Sequence, residues 1–111
     1  MRKKPTRSAC ISSRRPLRSG FCRADISKKE DAAALLDAAL EFFGGTVDVI
    51  LHNAGVISTY DFLVIEPEEV ERLFNINVLG VSHMLQEGMK QMIKQGHGNI
   101  CLLYTSPSPR D

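Results

Sequence analysis

Val47-Asp48-Val49-Ile50-Leu51 runs directly into His52-Asn53-Ala54-Gly55. The first stretch is apolar everywhere except at Asp48 and lacks the in-out alternation of a half-solvated strand. Such a run suits a strand covered on both faces of a parallel sheet. The residues after it are small or polar. An Asn side chain bonds nearby backbone in turns, and Gly lets the chain pass close to a neighbouring group. A strand that empties into such a turn marks the carboxyl end of a strand, where open α/β sheets bind ligands.

Helical patterns flank this stretch. Upstream, Ala32, Leu35, Leu36, Ala39, Leu40 and Phe43 recur at helical spacing, and Gly44-Gly45 stops the pattern. Ser27-Lys28-Lys29-Glu30 has the form of a capping box, in which the hydroxyl and the carboxylate each satisfy a free helix-end N–H. Residues 21–26 can form a short strand ahead of it. Downstream, Glu66-Pro67-Glu68-Glu69 opens a long helix, with proline in the first turn and acids at the positive end of the dipole. Val70, Leu73, Phe74, Val81, Met84, Leu85, Met92 and Ile93 form its apolar stripe, and Lys90 and Lys94 sit near its negative end. Gly96-His97-Gly98 ends it, and Asn99-Ile100 begins another apolar strand. Strand, helix, strand, helix, strand predicts an α/β fold built of βαβ units around a parallel sheet.

The chain has 111 residues, enough for one small domain with a modest core. No apolar run approaches the length needed to cross a bilayer, so no membrane role is expected. Cys10, Cys22 and Cys101 are odd in number and far apart, which argues against a disulfide framework or a thiolate zinc site. His52, His83 and His97 are equally scattered, so no metal site is expected. The net charge of +1 says little, but its distribution is uneven. Arg2, Lys3, Lys4, Arg7, Arg14, Arg15, Arg18 and Arg23 crowd the N-terminus, and no acid precedes Asp25.

Residues 1–20 are therefore basic and show no hydrophobic period. A transit peptide fits their Arg and Ser content but lacks an amphipathic stripe. A nucleic-acid-binding tail fits the charge but offers no aromatic to stack on bases, so no nucleic-acid partner is expected. The third reading is a disordered or non-native segment. Residues 101–111 depart from the strand-helix rhythm by turning to Ser and Pro. That peptide resembles a translated sequencing adapter and is read as an artefactual tail; the alternative is a genuine, unusual C-terminus.

Ala24-Asp25-Ile26, His52-Asn53-Ala54-Gly55 and Asn75-Ile76-Asn77-Val78-Leu79-Gly80 occur in this order with gaps similar to those of the short-chain dehydrogenases/reductases. Residues 23–100 resemble the middle of that family. The resemblance implies part of a Rossmann-like doubly wound parallel sheet, its third to fifth strands with their helices, incomplete on this chain. It implies NAD or NADP as cofactor and hydride transfer between an alcohol and a carbonyl on a small-molecule substrate; the cysteine pattern and the lack of a bilayer-length apolar run separately lead to the expectation of a cytoplasmic setting. The resemblance also implies a homo-oligomer formed through the long helix. By the same resemblance Asp25 accepts a hydrogen bond from the adenine amino group, and the Ile26 backbone follows the ring. Asn53, Ala54 and Gly55 lie against the cofactor, with His52 standing where the family more often has Asn. Asn77 is the family's catalytic asparagine, which holds a local helix irregularity and a water linked to the catalytic lysine. A polar residue within an apolar stripe needs a partner when buried, which gives Asn77 a physical motive of its own. Asn75 is expected at the surface, His83 in packing or at the surface, and the methionines as core filler.

Other parts of that family's machinery do not occur here. Hydride transfer there uses a tyrosine with a lysine one helical turn later, so that the ammonium lowers the phenol pKa. Four residues on from Tyr60 stands Val64, and from Tyr104, Ser108. No glycine-rich phosphate turn precedes Asp25. The chain on its own is therefore expected to be inactive, and unstable or aggregation-prone with unpaired sheet edges. The competing readings are part of an extended-type nucleotide-sugar epimerase or dehydratase, and a non-enzymatic α/β binding module.

Overall fold

A computed structural model describes residues 18–103. Helix α1 spans Lys29–Phe43, strand β1 Val49–His52, helix α2 Pro67–Phe74, helix α3 Gly80–Gln95 and strand β2 Asn99–Leu102. Between α2 and α3 the chain does not leave the helix. Asn75–Leu79 forms a π-turn, closed by the Gly80 N–H donating to the Asn75 carbonyl. The long helix expected from the sequence is thus present, with one wide turn at the motif that carries Asn77.

The helix ends follow from local chemistry. Gly44 and Gly96 take left-handed φ values of 84° and 82°, and their N–H groups bond back to Leu40 and Met92. The capping box does not form. Lys28, not Ser27, precedes the first helical residue of α1, and no side chain caps it. Instead, the Ser27 hydroxyl and N–H both donate to Asp25 Oδ1, at 2.7 and 3.1 Å, and the Asp25 N–H donates to Asp31 Oδ2 at 2.8 Å. The helix begins one residue later than the capping box requires, so the Ser27 hydroxyl stands outside the capping position and closes the Asp25 turn instead.

The strands β1 and β2 pair in parallel, with Val49 beside Asn99, Ile50 beside Ile100, Leu51 beside Cys101 and His52 beside Leu102. The ladder runs two residues past Ile100, into the stretch read from sequence as a tail, because Leu51 and His52 still offer it backbone partners. Residues 104–111 and 1–17 lie outside the described region, as do most of both terminal segments singled out above. The strand expected over residues 21–26 is absent; Phe21 forms a lone bridge and the rest is irregular. A strand exists through its ladder, and this segment spends its polar groups on the Asp25 turn.

One face of the sheet is covered. Helix α3 crosses β1 at Gly88, where a Cβ would lie 2.6 Å from Ile50 Cδ1, so a larger residue would make the Ile50 side chain shift. Helix α1 packs against α3, and Ala32, Ala33, Leu36, Val47 and Met84 form the small core. The other face is open, with Val49 and Leu51 62% and 60% exposed. The expectation of a strand covered on both sides therefore fails for the described residues, in which all three helices are accounted for without reaching that face.

Candidate cofactor-binding site

The residues singled out from sequence come together on one stretch of the long helix. Asn77 projects from the π-turn to the chain just past the Asn53-Ala54-Gly55 turn. Its Oδ1 accepts the Val56 N–H at 2.9 Å, and its Nδ2 donates to the Val56 carbonyl at 2.7 Å. A carboxamide presents one donor and one acceptor side by side, so it replaces a neighbouring strand at that residue. Asn77 is exposed, not buried as its apolar surroundings in sequence predicted, whereas Asn75 is half-buried. The partner that Asn77 needed is nonetheless there. Gly55 stands close to the same group: a Cβ on it would lie 3.3 Å from Asn77 Oδ1. A larger residue at position 55 would press on the clamp.

One turn further along, the helix receives the other motif. A Cβ on Gly80 would lie 2.8 Å from Ile26 Cδ1, so glycine here lets the Ile26 side chain seat on the helix. A second turn on, His83 Nδ1 stands 2.9 Å from the Ile26 carbonyl. That oxygen can only accept, so Nδ1 carries the proton and donates. Asn77, Gly80 and His83 thus tie the 53–56 turn and the Asp25-Ile26 turn to one stretch of the helix. The sequence placed His83 in packing or at the surface; it is half-buried, and its bond to Ile26 gives it a positioning role that a lone histidine does not advertise.

The exposed edge of this arrangement consists of Asp25, Asn53, Ala54 and Gly55. The Ser27 hydroxyl and then its N–H hold the Asp25 carboxyl below the usual carboxylate range, so it is an anion at neutral pH. Both bonds fall on Oδ1. A carboxylate has about four lone-pair sites, so it can still accept an amino group from a ligand. The open turn of small residues and this acceptor fit the adenosine and ribose side of a dinucleotide. Among the described residues no group of His, Cys, Asp and Glu could hold a metal ion. An open apolar depression beside Met89, Met92 and Ile93 lies toward the other end of α3.

His52 ends β1 and is 7% exposed, with Nε2 unpartnered among the described residues. The bond expected of the family's Asn at this place has no counterpart at Nε2. The loop after the turn meets α2 through Ser58, whose side chain bonds to Glu69, and within α2 Glu69 has a second partner. Arg72 grips Glu69 with two bonds of 2.9 and 2.8 Å, and Arg72 first, with Ser58 adding to it, holds Glu69 below the usual carboxylate range. Tyr60 lies exposed in this loop, with no lysine in the position that would tune it. Tyr104 lies outside the described residues.

The family model for short chain dehydrogenase matches residues 6–105. An L-rhamnose 1-dehydrogenase (NAD(P)(+)) from Sphingomonas sp. (strain SKA58) is 35% identical over 78% of this chain and 34% of its own length. A diacetyl reductase, (S)-acetoin forming, from Staphylococcus epidermidis is 41% identical over 66% of this chain and 28% of its own. The crystal structure of an NAD+-bound xylitol dehydrogenase superposes with a TM-score of 0.65 at 28% identity, covering 71% of this chain and 30% of that one. The chain spans about a third of the length of the curated relatives it matches. No helix among the described residues is long and apolar enough to cross a membrane. On the match of its sequence and the agreement of its fold, the chain belongs to the short-chain dehydrogenase family of oxidoreductases.

Proposed function

We propose that residues 21–100 are the central part of an NAD(P)-dependent dehydrogenase or reductase that interconverts an alcohol and a carbonyl on a small molecule. The observation that carries this reading is the convergence of Asp25-Ile26 and Asn53-Ala54-Gly55 on Gly80, His83 and Asn77. Relatives whose names specify sugar oxidation and diketone reduction support it over the epimerase and binding-module readings. In this proposal Asp25 accepts the adenine amino group, Ile26 lines the ring, and Asn53, Ala54 and Gly55 let the backbone run beside the ribose. Asn77 holds Val56 and so keeps that path open. The bound nicotinamide supplies the hydride chemistry.

The pyrophosphate cradle and the tyrosine with its lysine would come from outside this segment. Residues 1–111 alone are accordingly proposed to be inactive. The same reading makes the intact enzyme cytoplasmic and gives it self-association through the long helix. The test is to express the longest reading frame containing residues 21–100 and to follow reduction of NAD+ and NADP+ with a panel of polyols and acetoin. Turnover that disappears in Asn77→Ala supports the proposal. An intact frame that lacks both the glycine-rich turn and the Tyr/Lys pair refutes it.

A further inference from the structure

Val47 and Val56 bracket β1, and each is met by a side-chain amide from the same long helix. Asn77 makes the pair of bonds at Val56 already described. At Val47, Gln95 Oε1 accepts the N–H at 3.3 Å and Gln95 Nε2 donates to the carbonyl at 2.7 Å. In both places a carboxamide replaces a neighbouring strand, donor to acceptor and acceptor to donor. Gln95 is held in this pose. Its Nε2 also donates to the His97 carbonyl at 2.8 Å, and its Oε1 accepts from Gln91 at 3.2 Å.

The spacing and polarity match. Eighteen positions of helix separate the two amides, a rise of roughly 27 Å. Nine positions separate the two valines, an extended reach of roughly 30 Å. The helix runs against the strand, so the earlier amide meets the later valine and the later amide meets the earlier one. The contact between Ile50 and Gly88 in the middle is apolar and non-directional. Carboxamide pairs, by contrast, set position to within the tolerance of a hydrogen bond.

We infer that Gln95 is a positioning residue for the Asn53-Ala54-Gly55 turn. Together with Asn77 it pins both ends of β1 to the long helix and fixes where along that helix the turn stands. Naming the turn a cofactor turn rests on the proposed function; the pinning itself does not.

Amide hydrogen exchange in the intact protein carrying residues 21–100, read without cofactor and corrected for intrinsic rates, tests this. Gln95→Ala is expected to speed exchange at Val56 by about fivefold beyond any change at Leu36, the effect of losing about one net hydrogen bond. Gln95→Glu keeps the shape and the acceptor but loses the donor at neutral pH. Protonation near the ordinary glutamate value of about 4.3 restores an O–H donor, so protection at Val47 and Val56 should recover as pH falls through that range. Lost volume or helix propensity would not titrate this way. Equal acceleration at Leu36 and Val56, no acceleration at Val56, no acid recovery in Gln95→Glu, or no protection of either valine in the unmodified chain would each overturn the inference. A failure of NADH to bind would bear on the proposed function alone.

Discussion

Replacing Asn77 with Ala removes both bonds that hold Val56, and the structure sets the size of the effect. The bonds measure 2.9 and 2.7 Å and join neutral groups. Each such bond contributes about 0.5–1.5 kcal/mol net, so the pair contributes about 1–3 kcal/mol. Alanine is the better helix former by up to about 0.7 kcal/mol, which offsets part of the loss. Asn77 is exposed, so water can take over part of what remains, and a net weakening of about 0.5–2 kcal/mol follows. That corresponds to about a 2- to 30-fold increase in local opening at Val56. Hydrogen exchange at the Val56 amide, referenced to Leu36 in α1, measures it. Asn77→Asp should do no better than Asn77→Ala, because a carboxylate oxygen would face the Val56 carbonyl without a proton between them. An Asn77→Ala chain whose Val56 amide exchanges as slowly as before would refute the clamp.

Three further outcomes, each read on the intact protein carrying residues 21–100, rest on the same geometry. Gly80→Ala places a methyl 2.8 Å from Ile26 Cδ1 and should shift the Asp25-Ile26 turn, with a destabilisation of about 1–2 kcal/mol after the gain in helix propensity; a urea midpoint measures it, and an unchanged midpoint would count against the seating of Ile26. His52→Leu removes the unpartnered Nε2 from a site only 7% exposed and should raise stability by about 1 kcal/mol, read from the same midpoint. The Asp25 carboxyl is depressed in the folded chain, so its contribution is complete above the ordinary carboxylate range and is lost as pH falls through the lower folded value. Stability measured from pH 6 down to pH 3 should therefore fall less steeply in Asp25→Asn than in the unmodified chain.

The long helix was legible because proline, acids and glycine mark its ends and an apolar stripe marks its face. That Asn77 would take a partner was legible too, since a carboxamide in such a stripe asks for one, but its exposure was not. Which backbone atoms would answer was not, because that depends on where a loop 21 positions away in sequence comes to rest. For a related reason, the bond that His83 makes, beyond the packing or surface place read for it, and the role of Gln95 were not legible. Either residue on a helix is ordinarily a surface or packing residue, and only the strand and turn brought beside them give them work. The expected strand over residues 21–26 failed because pattern reports what a segment can do, whereas a ladder also needs a neighbour with free backbone groups. The capping box failed locally: the helix starts after Lys28, one residue beyond the capping register, and the Ser27 hydroxyl bonds to Asp25 instead.

In the proposed function, two separate turns tied to one stretch of the long helix form the dinucleotide side of an oxidoreductase. Hydrogen exchange of the intact protein carrying residues 21–100, measured with and without saturating NADH or NADPH, tests it most directly. The predicted result is cofactor-dependent protection at residues 25–26 and 53–56 together, with Met89, Met92 and Ile93 at the other end of α3 unchanged. Protection confined to one of the two turns, or its absence from both while the cofactor binds elsewhere, would contradict it.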